Sequence, residues 1–261
     1  MSRRCLSLGV ALFCASVTTL EAAPVAVRFP EGSVQAYLIL RGPKGEELAV
    51  GDLQQQAREG DIHSRLVLRF KDGSLYDEMV VFSQRQTFAM RQYRLIQRGP
   101  SFPTALEASL DGATGRYQVS AREEGEKGET FEGQLALPPD VANGMLAVLL
   151  KNLPQGATRT VHIVAFRPKP LLVKLELAPE GKARFSVGDT QRQALHYRLR
   201  PKLGILGVFA SLIGKHVSEY HYWILGGGAP AFLAFEGPLY TDGPVWRVEL
   251  VSPRWPKGES P

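Results

Sequence analysis

The sequence predicts a mainly β protein, a large antiparallel sheet curled into a closed or half-open barrel. Three observations predict it. Apolar and polar residues alternate along short segments, turn-forming residues cut these segments every ten or so positions, and Gly and Pro (26 and 18 of 261 residues) make up about 17% of the chain against a usual ~12%. An apolar fraction of 44% is too high for a disordered chain, and the glycines show no collagen period. The length suits one large β domain.

The N-terminus has the pattern of a secretory signal. Arg3 and Arg4 form a short basic region, Leu6–Ala15 is a nearly unbroken apolar run, and small and polar residues lead to Ala22-Ala23-Pro24. The expectation is removal of residues 1–22, a β-rich domain over 23–252 and a flexible tail over 253–261. The apolar run is about half of what a membrane span needs, and no other stretch is long or apolar enough for one. Both cysteines, Cys5 and Cys14, fall inside the leader, so the mature chain would contain no thiol. Its net charge would drop from +5 to +4, because Arg3, Arg4 and Glu21 leave with it. That mild charge, with no run of five like charges, argues against a nucleic-acid partner.

The strands follow in order. Val34, Ala36, Leu38 and Leu40 alternate with Gln35, Tyr37, Ile39 and Arg41, and Gly42-Pro43-Lys44-Gly45 turns the chain into Glu46–Gln56. In the clearest strand, Ile62, Leu66, Leu68 and Phe70 share one face while His63, Arg65, Arg69 and Lys71 share the other. Asp72-Gly73 tolerates the positive φ of a tight hairpin, and Leu75–Gln84 returns. Thr87–Arg98, the strand around Tyr117–Ala121 and Phe131–Leu137 continue the meander.

Pro138-Pro139-Asp140 then opens a short helix near 140–152. Asp140 is placed as its N-cap, and Met145, Leu146, Leu149 and Leu150 recur at helical spacing. Gly144 weakens it, Lys151 suits its C-terminal end, and Asn152-Leu153-Pro154 stops it. Strands resume at Thr158–Phe166, Leu171–Leu177, Arg184–Val187, Ala194–Leu199, Tyr220–Leu225, Pro230–Glu236 and Val245–Val251. Between them lies Leu203–Ile213, almost wholly apolar. It is read as a second, apolar helix near 203–213: a buried plug, a lid over the barrel mouth, or a contact with a membrane surface.

An export signal, a β-meander and one short helix after a Pro pair together resemble uncharacterised bacterial periplasmic proteins of β-barrel type. They are similar in outline to lipocalins and to the half-barrels of outer-membrane lipoprotein carriers. The stretches that carry the likeness are Lys71-Asp72-Gly73-Ser74, Phe82-Ser83-Gln84-Arg85, Arg98-Gly99-Pro100-Ser101-Phe102-Pro103 and Gly243–Leu250. This chain is longer than the carriers and more Arg-rich on its strand faces. The resemblance implies an open or closed barrel and brings no catalytic residues with it.

No catalytic, metal or cofactor signature stands out. There is no HxH, HExxH or G-x-S-x-G unit, and Gly226-Gly227-Gly228 lacks the Lys-Ser/Thr of a phosphate loop. His216 and His221 flank Glu219, but a five-residue gap sets them on opposite faces of a strand. Asp77 and Glu78 are adjacent in a strand, so they also point to opposite faces, one of them toward the barrel interior. The expectation is a binding protein and not an enzyme, with a lipid or other apolar small molecule as ligand. A non-enzymatic structural or interaction protein of the cell envelope is the alternative. Arg65, Arg69 and Arg91, with Tyr93 among them, would form a basic stripe for an acidic headgroup. Phe209, Tyr222 and Trp223 would give apolar contact area. Periplasmic or secreted location follows from the leader.

Overall fold

The computed structural model describes residues 23–187, 190–202 and 219–251. They form fourteen strands and one short helix. The strands are β1 (Val34–Arg41), β2 (Glu47–Arg58), β3 (Asp61–Phe70), β4 (Leu75–Gln84), β5 (Phe88–Arg98), β6 (Thr104–Asp111), β7 (Arg116–Glu123) and β8 (Glu129–Gln134). The helix α1 (Leu146–Asn152) follows, then β9 (Arg159–Ala165), β10 (Leu171–Val187), β11 (Thr190–Lys202), β12 (Tyr220–Leu225), β13 (Ala231–Gly237) and β14 (Trp246–Val251).

All fourteen strands belong to one antiparallel sheet, in the order β8-β7-β6-β5-β4-β3-β2-β1-β14-β13-β12-β11-β10-β9. Every pairing but one joins chain neighbours, and most of the connections are short turns that return the chain beside the strand it has just left. The β2–β3 turn illustrates this. Arg58 pairs with Asp61, and the two residues between them, Glu59 and Gly60, both take positive φ (51° and 86°), the left-handed pair whose twist matches the flanking strands. The exception is β1 against β14, where Tyr37 faces Val251 and Arg41 faces Arg247. Two meanders, β1–β8 and β9–β14, are thus stitched along this seam, leaving β8 and β9 as the two edges. The sheet is not closed; it is a half-open barrel.

The inner face holds the core. On β3 the residues Ile62, Leu68 and Phe70 are buried there, while Arg65 and Arg69 stand on the exposed outer face, as alternation requires. The curl brings distant strands together. The ring of Tyr93 on β5 stacks at 5.4 Å on Phe166, just past β9, although the two strands stand far apart in the sheet order. The segment between β8 and β9 packs against the inner face, with α1 against β12 and β13 and Gly144 against Val80. Its helix places Val148, Leu149 and Leu150 in the core, and Asn143 clamps the edge of β9 by donating to the Val164 carbonyl and accepting from the Val164 amide, both at 2.8 Å.

The helix differs in detail from the sequence reading. It begins after Met145, and Asp140 does not cap it; the buried Asp140 carboxylate instead meets Nδ1 of His162 at 2.8 Å. Gly144 lies before the helix with φ of 68°, and a Cβ there would come within 3.0 Å of Val80. A left-handed residue pressed on a neighbouring strand needs glycine. The two segments read as separate strands around Pro179 and Gly181 are one strand, β10, whose register shifts at a bulge between those residues. The expected leader 1–22, the apolar segment Leu203–Ile213 with Phe209, and the tail 253–261 lie outside the described residues. Among the described residues no helix is long and apolar enough to cross a membrane.

Candidate functional site

The curled sheet and α1 line a partly open cavity of about 280 Å³. Its walls are mostly apolar: Leu38, Leu53, Leu66, Val80, Leu146 and Phe232 are representative. That composition follows from the inner-face positions of the strands and from the helix lid. Besides Ser64 on β3, three sets of polar groups break the apolar wall.

The first is Glu78. On β4, Tyr76, Glu78, Val80 and Phe82 share the inner face, so a carboxyl is carried into the interior on an otherwise apolar row. Its Oε1 accepts a hydrogen bond from the Tyr93 hydroxyl at 2.7 Å, and the Tyr76 hydroxyl is a second donor. Burial raises the Glu78 pKa above the ordinary carboxylate value, and the two tyrosine hydrogen bonds only partly offset this. Burial also drives the hydroxyls of Tyr76, Tyr93 and Tyr222 upward, with the Glu78 charge adding to each, so the tyrosines remain donors.

The second is the pair of Lys151 and Glu31. Lys151, in the last turn of α1, lies on the cavity wall with its Nζ 2.5 Å from Glu31. Only 14% and 6% of the two side chains are exposed. Gln55 completes this wall by donating to Glu31 at 3.0 Å and to the Gly32 carbonyl at 2.9 Å. The third is Asn143, whose side chain is held by Val164 and which also reaches Tyr93. The cavity therefore offers an apolar body, a carboxyl ringed by tyrosine hydroxyls, and a paired ammonium. No histidine lines it.

The residues singled out in the sequence divide between the two faces. Tyr222 lines the cavity and Tyr93 bonds the carboxyl within it. Arg65, Arg69 and Arg91 are exposed and do not line it. Arg65 makes a bidentate pair with Asp77 on the outer face (2.9 and 2.6 Å), and Arg69 pairs with Asp52 at 2.6 Å. The arginine stripe is thus largely a ladder of cross-strand ion pairs on the outside of the sheet. Trp223 also faces outward, because it neighbours the inward Tyr222 on β12; its ring stacks on His196 at 4.7 Å. Phe209 lies outside the described residues.

Asp77 and Glu78 do point to opposite faces, with Glu78 the inward one. The sequence reading passed over Tyr76, Gln55, Asn143 and Lys151. The signal for Tyr76 was its shared parity with Glu78, whereas Lys151 was explained by the helix dipole alone.

No protein-family model matches the chain, and no curated protein matches it. A solved structure similar to it is a β-barrel-like protein of a domain of unknown function from Brucella abortus, at 10% identity and a TM-score of 0.47. The likeness covers 88% of this chain and 98% of that one.

Proposed function

We propose that this protein is a binding protein that holds a small amphipathic molecule inside its half-barrel and acts outside the cytoplasm after losing residues 1–22. The observation that carries the reading is the half-buried Glu78 carboxyl, set at the wall of an apolar cavity with tyrosine hydroxyls as its partners. A partly buried acid with a raised pKa is short of compensating charge and hydrogen bonds. A ligand that brings an ammonium or hydroxyl head to Glu78, and lays an apolar body against Leu53, Leu66 and Phe232, supplies what the protein lacks.

The volume narrows the class. Ligand pockets commonly run from roughly 300 to 1,000 Å³, and about 280 Å³ lies just below that range. The cavity suits a single short chain or a ring system, not a whole two-chain lipid. The basic leader and its apolar run, followed by a chain without cysteine, support export.

The test is native mass spectrometry of the chain recovered from cells. A co-purified small molecule should be present, and Ala147→Phe, which projects a ring from α1 into the cavity, should abolish it. A ligand-free chain that takes up no amphipathic molecule from a panel of amines, alcohols and fatty acids would favour the envelope-scaffold reading instead. N-terminal sequencing of the same sample checks the cleavage after Ala22.

A further inference from the structure

On the outer face of the second meander, three potential metal ligands converge that no motif in the sequence joins. His196 stands on β11 and His221 on β12, in a diagonal cross-strand relation, since His196 pairs with Trp223 and Arg198 with His221. The rings lie 5.1 Å apart, and Nε2 of His196 is 3.0 Å from Nδ1 of His221. Glu180 comes from the bulge in β10, where Pro179 pairs with Tyr197 and Gly181 with His196, so Glu180 is the extra residue between them. A bulge redirects a side chain, and here it turns a carboxylate to the histidines. Glu180 Oε2 is 3.7 Å from His196 Nδ1 and 4.0 Å from His221 Nδ1.

We propose that Glu180, His196 and His221 form a binding site for a divalent transition-metal ion, Zn²⁺ first among them. One ligand atom from each residue lies within 4.8 Å of the others. A tetrahedral ion with ligands at about 2.0–2.1 Å sets its ligand atoms about 3.3 Å apart, so closure needs side-chain shifts of no more than about 1.5 Å. Imidazole nitrogen with one carboxylate is the donor set that suits zinc, copper and nickel, in contrast to the all-oxygen sets of calcium and magnesium.

The surroundings are built as a support for such a site. Arg198 Nε sits 2.7 Å from Oε1 of Glu180 and leaves Oε2 toward the rings. Trp223 stacks flat on His196, with 5° between the planes, and fixes its orientation, while the Arg247 guanidinium lies 4.5 Å over Trp223. The side chains of the three ligands are 22–28% exposed, so an ion has access and a fourth position faces solvent.

The test titrates Zn²⁺ against a chromophoric chelator, using the full chain without a polyhistidine tag and with Cys5→Ser and Cys14→Ser to remove its thiols. One Zn²⁺ per chain is expected. Glu180→Gln should weaken binding at least tenfold, and the double variant His196→Ala/His221→Ala should abolish it. Cu²⁺ should quench tryptophan fluorescence at one equivalent, and Trp223→Phe should remove most of that response. Melting without metal shows whether the variants fold; these are partly exposed outer-face positions, and Glu180→Gln carries the reading if the double variant does not fold. Absence of one-equivalent binding in the parent chain overturns the proposal. So does a loss of less than tenfold in a folded double variant.

Discussion

The pair of Lys151 and Glu31 is the most exposing place to disturb the molecule, because it ties α1 to the polar wall of the cavity. Replacing Lys151 by Met keeps the length and apolar stem of the side chain but removes its charge. Glu31, 6% exposed, would keep Gln55 at 3.0 Å as a neutral donor and lose the ammonium at 2.5 Å. Removing one partner of a buried pair costs about 3–5 kcal/mol, because the other charge is left uncompensated. For a domain of this size each kcal/mol lowers Tm by about 2–4 °C, so Lys151→Met should melt roughly 6–20 °C lower.

The double variant Glu31→Gln/Lys151→Met removes both charges and keeps an acceptor for Gln55. Replacing a whole buried pair is often close to neutral, so it should recover most of the loss. The assay is urea unfolding and thermal melting of the four proteins of the cycle. A single-variant loss below about 1 kcal/mol, or a double variant no better than Lys151→Met, would refute the argument that burial makes this pair costly to break.

Glu78→Gln tests the carboxyl in the cavity. Since folding raises the Glu78 pKa, its contribution to stability is whole below the unfolded value near ~4.3 and is lost as pH rises through the higher folded value, each unit amounting to about 1.4 kcal/mol. The stability of the parent relative to Glu78→Gln should therefore fall with rising pH above that point and then level off; a difference flat from pH 4 to 8 would sink this account. Asn143→Ala leaves the Val164 amide and carbonyl without their clamp and should cost about 2–4 kcal/mol, with faster hydrogen exchange at the Val164 amide. Gly144→Ala separates two readings: a helical glycine would gain about 1 kcal/mol from alanine, whereas φ of 68° and the contact with Val80 predict a loss of about 1–2 kcal/mol in a urea melt.

Much of the fold was legible because alternation is a local property. The parity of β3, the Asp72-Gly73 turn and the opposite directions of Asp77 and Glu78 all follow from a strand period of two. What sequence periodicity does not carry is which distant strands meet. The β1–β14 seam, the Tyr93–Phe166 stack and the pairing of Lys151 with Glu31 join residues tens to hundreds of positions apart. For this reason Lys151 read as a dipole partner and the arginines as a binding stripe, when Asp52 and Asp77 were waiting on neighbouring strands. Gly144 and Asp140 misled for a different reason. Their residue types fit a weak helix start, and only the contacts with Val80 and His162 reveal a turn pressed on the sheet. The histidine cluster was invisible because a one-residue bulge and a diagonal pairing built it, and neither leaves a spacing motif.

The seam between β1 and β14 also governs the order in which the chain can fold. Most other pairings join strands a few residues apart in the chain, on short loops and at small entropic cost. Tyr37 must wait for Val251, and so for the whole second meander to emerge. Until then the first meander carries the free backbone edge of β1, with the apolar Leu38 and Leu40 beside it, and a chain interrupted before Trp246 never covers that edge. Completion of the sheet is thereby tied to the arrival of β14, and a chain that stops short of it is left marked by an open strand that holdases and proteases can grip.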